Sequence, residues 1–185
     1  MDVFIEQLVK YKKTNSDFTK QSIALAGGVA AVLATAYVGL YLVSLMGSLG
    51  ILLALCLIVG IGYGTFRIIT NFNVEYEYIL TNGELDVDKI VAKSNRRRLV
   101  NIEVKDFSAF GRVTQSVLDG EYDTRVYAFS DYKRPDACYA VFEKSGLGKT
   151  LLLFNPNSEF TKKLIDYLPP NIKNGLDIRS TEEER

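Results

Sequence analysis

From Gln21 to Phe66 the chain carries no Asp, Glu, Lys or Arg. The hydrocarbon core of a bilayer, about 30 Å thick, takes about 20 apolar residues per helix, so this block fits two spans joined by a tight turn. The turn is readable at Met46-Gly47-Ser48-Leu49-Gly50, which places the spans at about 22–45 and 49–69. A signal peptide is excluded by the length and by a second span that follows without a break. A soluble alternative would need an uncharged helical hairpin buried on every side within a small protein. Two spans leave both ends on one side. Lys10, Lys12, Lys13 and Lys20 precede the first span, Arg67 closes the second, and the turn between them is uncharged. The positive-inside rule then puts both termini in the cytoplasm.

Small residues recur four apart within the spans: Gly60 and Gly64, Ala24 and Gly28, Ala30 and Ala34. Such spacing lets helix backbones approach closely in lipid. It serves either the packing of the hairpin on itself or association with a second copy or another membrane protein. No ionisable residue lies inside the spans, which disfavours an ion or proton pathway.

Composition narrows the chemistry. The 22 Lys and Arg balance 22 Asp and Glu, so no charge bias points to nucleic acid. There is no histidine, which removes the commonest general base and the commonest metal ligand. Cys56 and Cys138 lie in different surroundings and read as two small buried hydrophobes; neither a disulfide nor a metal site is expected, and no cofactor. GLGKT, Gly146 to Thr150, has the second half of a P-loop, but Glu143 stands where the first glycine belongs. The flanking ACYAVFE and TLLLF read as strands, so the stretch is a β-hairpin turn.

MDVFIEQLVKYKK has helical spacing, with Phe4, Leu8 and Tyr11 sharing a face with Ile5. Residues 1–20 therefore read as an N-terminal amphipathic helix, lying in the lipid interface or packed on the rest of the chain. From Asn73 the period changes to two. VEYEYIL alternates, Asn82-Gly83 is a hairpin signal, and ELDVDKIV and RLVNIEV alternate again. KDFSAFG, TRVYAFS, ACYAVFE and TLLLF follow, with a polar loop through Pro135. These make six or seven short strands over residues 73–170. A helix closes them, with Asn155 as N-cap, Pro156 at its first position and a stripe of Phe160, Leu164, Tyr167 and Leu168. Residues 171–185 read as a loose polar tail.

This layout of strands closed by one helix is that of a pleckstrin-homology (PH) domain. YEYILTNGELDVDKIVAKSNRRRLVNIEVKDFSAFG, together with MDVFIEQLVK, the hydrophobic pair and NPNSEF…LP, resembles a family of small bacterial membrane proteins that pair two transmembrane helices with a PH-like domain and are known only as a domain of unknown function. The resemblance implies an α+β membrane protein: a transmembrane hairpin, then a PH-like antiparallel barrel or sandwich with a C-terminal capping helix, in the bacterial cytoplasmic membrane. It implies no activity.

The candidate binding residues are Lys89, Lys93, Arg96, Arg97 and Arg98, at the junction of two strands. The cytoplasmic leaflet is anionic, and each basic residue near it contributes about 1 kcal/mol. Membrane lipid headgroups are one candidate partner; the other reading is a solvated loop whose charges discourage edge pairing. Asp86 and Asp88 share a face that reads as solvated, and Asp119, Glu121 and Asp123 lack the spacing of a calcium loop. Tyr76 and Tyr78 read as core, while Tyr127 and Tyr139 read equally as core or as a peptide groove. A binding or scaffolding module without catalysis is expected, with an accessory subunit of a membrane complex as the alternative.

Overall fold

In the computed structural model, which describes residues 3–130 and 137–176, the chain divides into two compact units. One comprises Lys13–Val74; the other joins the segment up to Lys12 with everything from Glu75 onward.

The first unit is a helical hairpin of α1 (Asn15–Met46) and α2 (Ser48–Thr70). A capping box starts α1: Asp17 N donates to the Thr14 hydroxyl, and the Asp17 carboxylate accepts from Thr14 N at 2.9 Å. That satisfied end draws the helix seven residues upstream of the expected span start at Ser22. Gly47 alone separates the helices, with φ at +59°. At 1.5 Å per residue, the 23 residues of α2 extend about 35 Å, so both helices are long and apolar enough to cross a membrane.

The second unit holds eight strands among the described residues, in two sheets. The first sheet has the order β1 (Phe4–Lys10), β2 (Val74–Thr81), β3 (Glu84–Val91), β4 (Asn95–Glu103). The second has the order β5 (Phe107–Arg112), β7 (Cys138–Lys144), β8 (Gly148–Phe154), β6 (Thr124–Ala128). Short helices α3 (Gln115–Leu118) and α5 (Pro170–Lys173) and the nine-residue α4 (Ser158–Asp166) complete it.

Four expectations are corrected. Residues 4–10 are a strand, not part of an amphipathic helix: β1 runs antiparallel to β2, with Phe4 opposite Thr81 and Lys10 opposite Glu75. Its odd residues point inward, and the inward Gln7 is satisfied from both ends. Its Nε2 donates to Asn155 O at 3.0 Å, and its Oε1 accepts from Asn157 N at 2.8 Å. The two sheets do not close into a barrel, nor are they wholly antiparallel, since β6 runs parallel to β8 with Thr124 opposite Thr150. The C-terminal helix is capped by Asn157, whose Oδ1 accepts from Phe160 N at 2.7 Å. Asn155 is buried instead, with its Oδ1 accepting from Ser130 N at 2.9 Å. Residues 171–173 of the expected loose tail are helical, as part of α5. The loop through Pro135 and the end of the tail lie outside the described residues.

The core lies between the sheets. Tyr76 and Tyr78 are buried as expected, and Tyr78 stands edge-on to Phe154 at 5.6 Å and to Phe160 of α4 at 6.0 Å. Its hydroxyl donates to Ala128 O and accepts from Asn155 N at 3.2 Å, which ties β2 to the ends of β6 and β8. The run Leu151–Phe154 is buried on both faces, because Val141, Leu151 and Leu153 form a second cluster under Val117, Leu118 and Tyr122. This is why TLLLF is uniformly apolar. The β2–β3 turn uses Asn82 and Gly83 at positive φ, as the sequence signalled; a side chain at Gly83 would meet the Tyr167 ring at 2.7 Å.

Candidate functional site

The β3–β4 hairpin holds all five candidate basic residues, and its geometry divides them. Its tip is the three-residue turn Ala92-Lys93-Ser94, with Ala92 at φ +54° and Lys93 at φ +58°, closed by Ser94 N donating to Val91 O at 3.2 Å. Turns of this kind favour Asn-Gly, and left-handed backbone at Ala and Lys is strained. The tip holds Lys93 exposed at its apex.

Arg96, Arg97 and Arg98 belong to β4 and not to a loop, so alternation sends them to opposite faces. The register places Arg98 opposite Asp88 and Arg97 opposite Lys89, with a bulge between Val87 and Asp88. Arg96 and Arg98 lie on the sheet's outward face. The Arg96 Nε forms an ion pair with Asp88 Oδ2 at 3.2 Å, and the Arg98 Nε donates to Asp88 Oδ1 at 3.3 Å. Arg96 also pairs with Glu77 of β2, and Arg98 with Asp86 at 3.4 Å. Both arginine side chains remain about half exposed, whereas the Asp88 side chain is 3% exposed and that of Glu77 9%. Asp86 and Asp88 share the outward face, but Asp88 is buried there, because the arginines lie over it. Asn101 Nδ2 donates to Asp86 Oδ1 at 2.7 Å, completing the array.

Lys89 and Arg97 face the other way, directly across from each other, and with Lys93 they make no ion pair among the described residues. Like charges directly opposite on neighbouring strands destabilise a sheet. Among the described residues, this end of the hairpin therefore has three cations without an ion-pair partner, beside two that are paired.

The other sequence candidates are placed as follows. Gly148, Lys149 and Thr150 begin β8. Lys149 N donates to Asp123 Oδ2 at 2.8 Å, so the amide a phosphate would use is taken by the chain's own carboxylate. Lys149 and Arg125 both stand over the Tyr122 ring, at 5.2 and 5.6 Å from its centroid. Tyr127 is exposed and Tyr139 half-buried, and burial pushes the Tyr139 phenol above its usual value. Cys138 is buried, but Cys56 is exposed on α2. Within the hairpin, Gly28 lies against Thr65, where an added side chain would clash at 2.4 Å; Ala24 is half-buried. Gly60 and Gly64 face open space, with nothing within 4 Å of an added Cβ. Besides Gly28, the close approaches are at Gly39, against Ala54, and at Gly50, against the Leu42 backbone.

Two sheets around an aromatic core, closed by a C-terminal helix and accompanied by two long apolar helices, define a PH-like unit of the α+β class. The chain belongs to the family described as Bacterial PH-like domain (DUF6106), whose profile matches residues 1–174. No curated protein and no solved structure matches it.

Proposed function

We propose that this chain is a binding or scaffolding module anchored in the bacterial cytoplasmic membrane by α1 and α2, with both termini cytoplasmic, and that Lys89, Lys93 and Arg97 engage anionic lipid headgroups. The observation that carries the reading is the cross-strand Lys89–Arg97 pair, left without counter-charge beside a strained turn that presents Lys93. An anionic surface supplies the missing charge, at about 1 kcal/mol per basic residue. The cytoplasmic placement is supported by the lysines before α1 and by Arg67 at the end of α2. It is also supported by the pairing of β1 with β2, because strands from before and after the hairpin share one sheet. Binding is favoured over catalysis because the chain has no histidine.

The test is hydrogen exchange of residues 89–98 in the full chain, reconstituted into nanodiscs of neutral lipid or of neutral lipid mixed with phosphatidylglycerol. Exchange slows in the anionic discs, and the slowing is lost in Lys89→Gln/Lys93→Gln/Arg97→Gln. Equal exchange in both discs would refute the reading.

A second reading, an accessory subunit or homodimer assembling through the membrane helices, is favoured by the open faces of Gly60, Gly62 and Gly64, which the hairpin's own packing does not use. It requires an oligomer in mild detergent that Gly60→Leu/Gly64→Leu dissociates.

A further inference from the structure

We infer that Asp88 and Glu77 withhold Arg96 and Arg98 from anionic headgroups, so that the hairpin end binds with three cations and not five. This rests on the lipid reading above and deepens it. The asymmetry of burial carries it. The arginine side chains are about half exposed, so their charge needs no buried partner. The Asp88 carboxylate is almost wholly buried, and both of its oxygens are met by an arginine Nε. Exposed ion pairs are weak on their own account, but a buried carboxylate stripped of its cations is strongly unfavourable. A phosphate that drew Arg96 and Arg98 outward would leave Asp88 and Glu77 buried without counter-charge, and would bring a further negative charge beside them. The ion-pair array holds three carboxylates, Glu77, Asp86 and Asp88, against two guanidinium groups, so it carries no surplus positive charge for an anionic leaflet. Lys89, Lys93 and Arg97 have no such competitor. The hairpin end is thus two-sided, with its usable positive charge on the face away from the acidic array.

The experiment is calorimetric titration of the full chain in neutral detergent micelles with short-chain phosphatidylglycerol, short-chain phosphatidylcholine or inorganic phosphate. Lys89→Gln/Lys93→Gln/Arg97→Gln loses phosphatidylglycerol binding. Arg98→Gln, which leaves Asp88 its contact with Arg96, keeps the affinity within about twofold, because a withheld arginine contributes little. Glu77→Gln frees part of Arg96 and raises the affinity about fivefold; Asp88→Asn, which frees both arginines, raises it up to about thirtyfold. Glu77→Gln is the milder change and decides the matter if Asp88→Asn lowers the protection of the β-sheet amides. An Arg98→Gln loss as large as that of the triple variant, or no gain in Glu77→Gln while the wild type binds, would overturn the inference. No binding in the wild type together with binding in Glu77→Gln supports withholding and overturns the lipid reading of the natural chain. No binding in either overturns both. Inorganic phosphate competing as well as phosphatidylglycerol assigns the cations to free phosphate and overturns the assignment to lipid.

Discussion

Removing one hydroxyl from the centre of the PH-like unit isolates the cost of its inter-sheet tie. Tyr78 is fully buried, and its hydroxyl satisfies two backbone groups, Ala128 O and Asn155 N, on segments remote in sequence. Tyr78→Phe keeps the ring and its edge-on contacts with Phe154 and Phe160. It leaves a carbonyl and an amide without their partner in a site that phenylalanine keeps dry. Each such group costs about 1–3 kcal/mol, so the expected loss is about 2–6 kcal/mol, a large fraction of a typical domain stability of about 5–15 kcal/mol. The assay is native-state hydrogen exchange of β2 and β8 peptides in the full chain, where protection reports the opening free energy directly. Exchange accelerates roughly 30- to 20,000-fold at those amides, since about 1.4 kcal/mol is a factor of ten. Exchange of the α1 and α2 amides is unchanged, because the helical hairpin is a separate unit. A change below about threefold in β2 and β8 would show that the two groups find other partners at no cost, and would refute the tie.

Further expectations follow from other contacts. Gly50→Ala places a methyl group 2.5 Å from the Leu42 carbonyl oxygen, which no side-chain rotation relieves, and destabilises the helical hairpin by about 1–3 kcal/mol in SDS titrations; Gly60→Ala, which meets nothing within 4 Å, leaves the hairpin unchanged. A fragment beginning at Asn73 lacks β1, exposes the edge of β2 and leaves Asn155 O and Asn157 N without Gln7; it is expected to aggregate, and fusing residues 3–12 ahead of it through a flexible linker restores a soluble, monomeric species by size-exclusion chromatography. Burial, with Tyr11 as a smaller cause, holds the Tyr76 phenol above its usual 10.0. A phenol raised on folding stabilises the fold fully below that value and loses the contribution as pH rises through its folded value, so denaturation midpoints fall above about pH 10, and fall less in Tyr76→Phe.

Much of this was legible because it is written locally. An uncharged block of that length dictates a helical pair, Asn82-Gly83 dictates a hairpin, and the alternation of VEYEYIL and ELDVDKIV reports faces that are buried on one side only. What was missed depends on partners far away in sequence. In β1, Phe4, Ile5 and Leu8 mimic a helical stripe, and the inward Gln7 breaks the alternation that would have marked a strand; only Asn155 and Asn157, far along the chain, explain an inward glutamine. The parallel β6–β8 pairing leaves no local trace. Of the five basic residues, the sequence located all but could not divide them, because the division depends on alternation within β4 and on Glu77, a carboxylate from another strand.

The pairing of β1 with β2 also bears on biogenesis. The ribosome releases β1 first, and its partner follows only after both apolar helices have been made. Until then β1 has no partner for its backbone groups. The first sheet closes only once the whole hairpin has been made. On the membrane reading proposed above, both flanks must also lie in one compartment, and a chain inserted with its amino terminus on the other side leaves the edge of β2 unpaired.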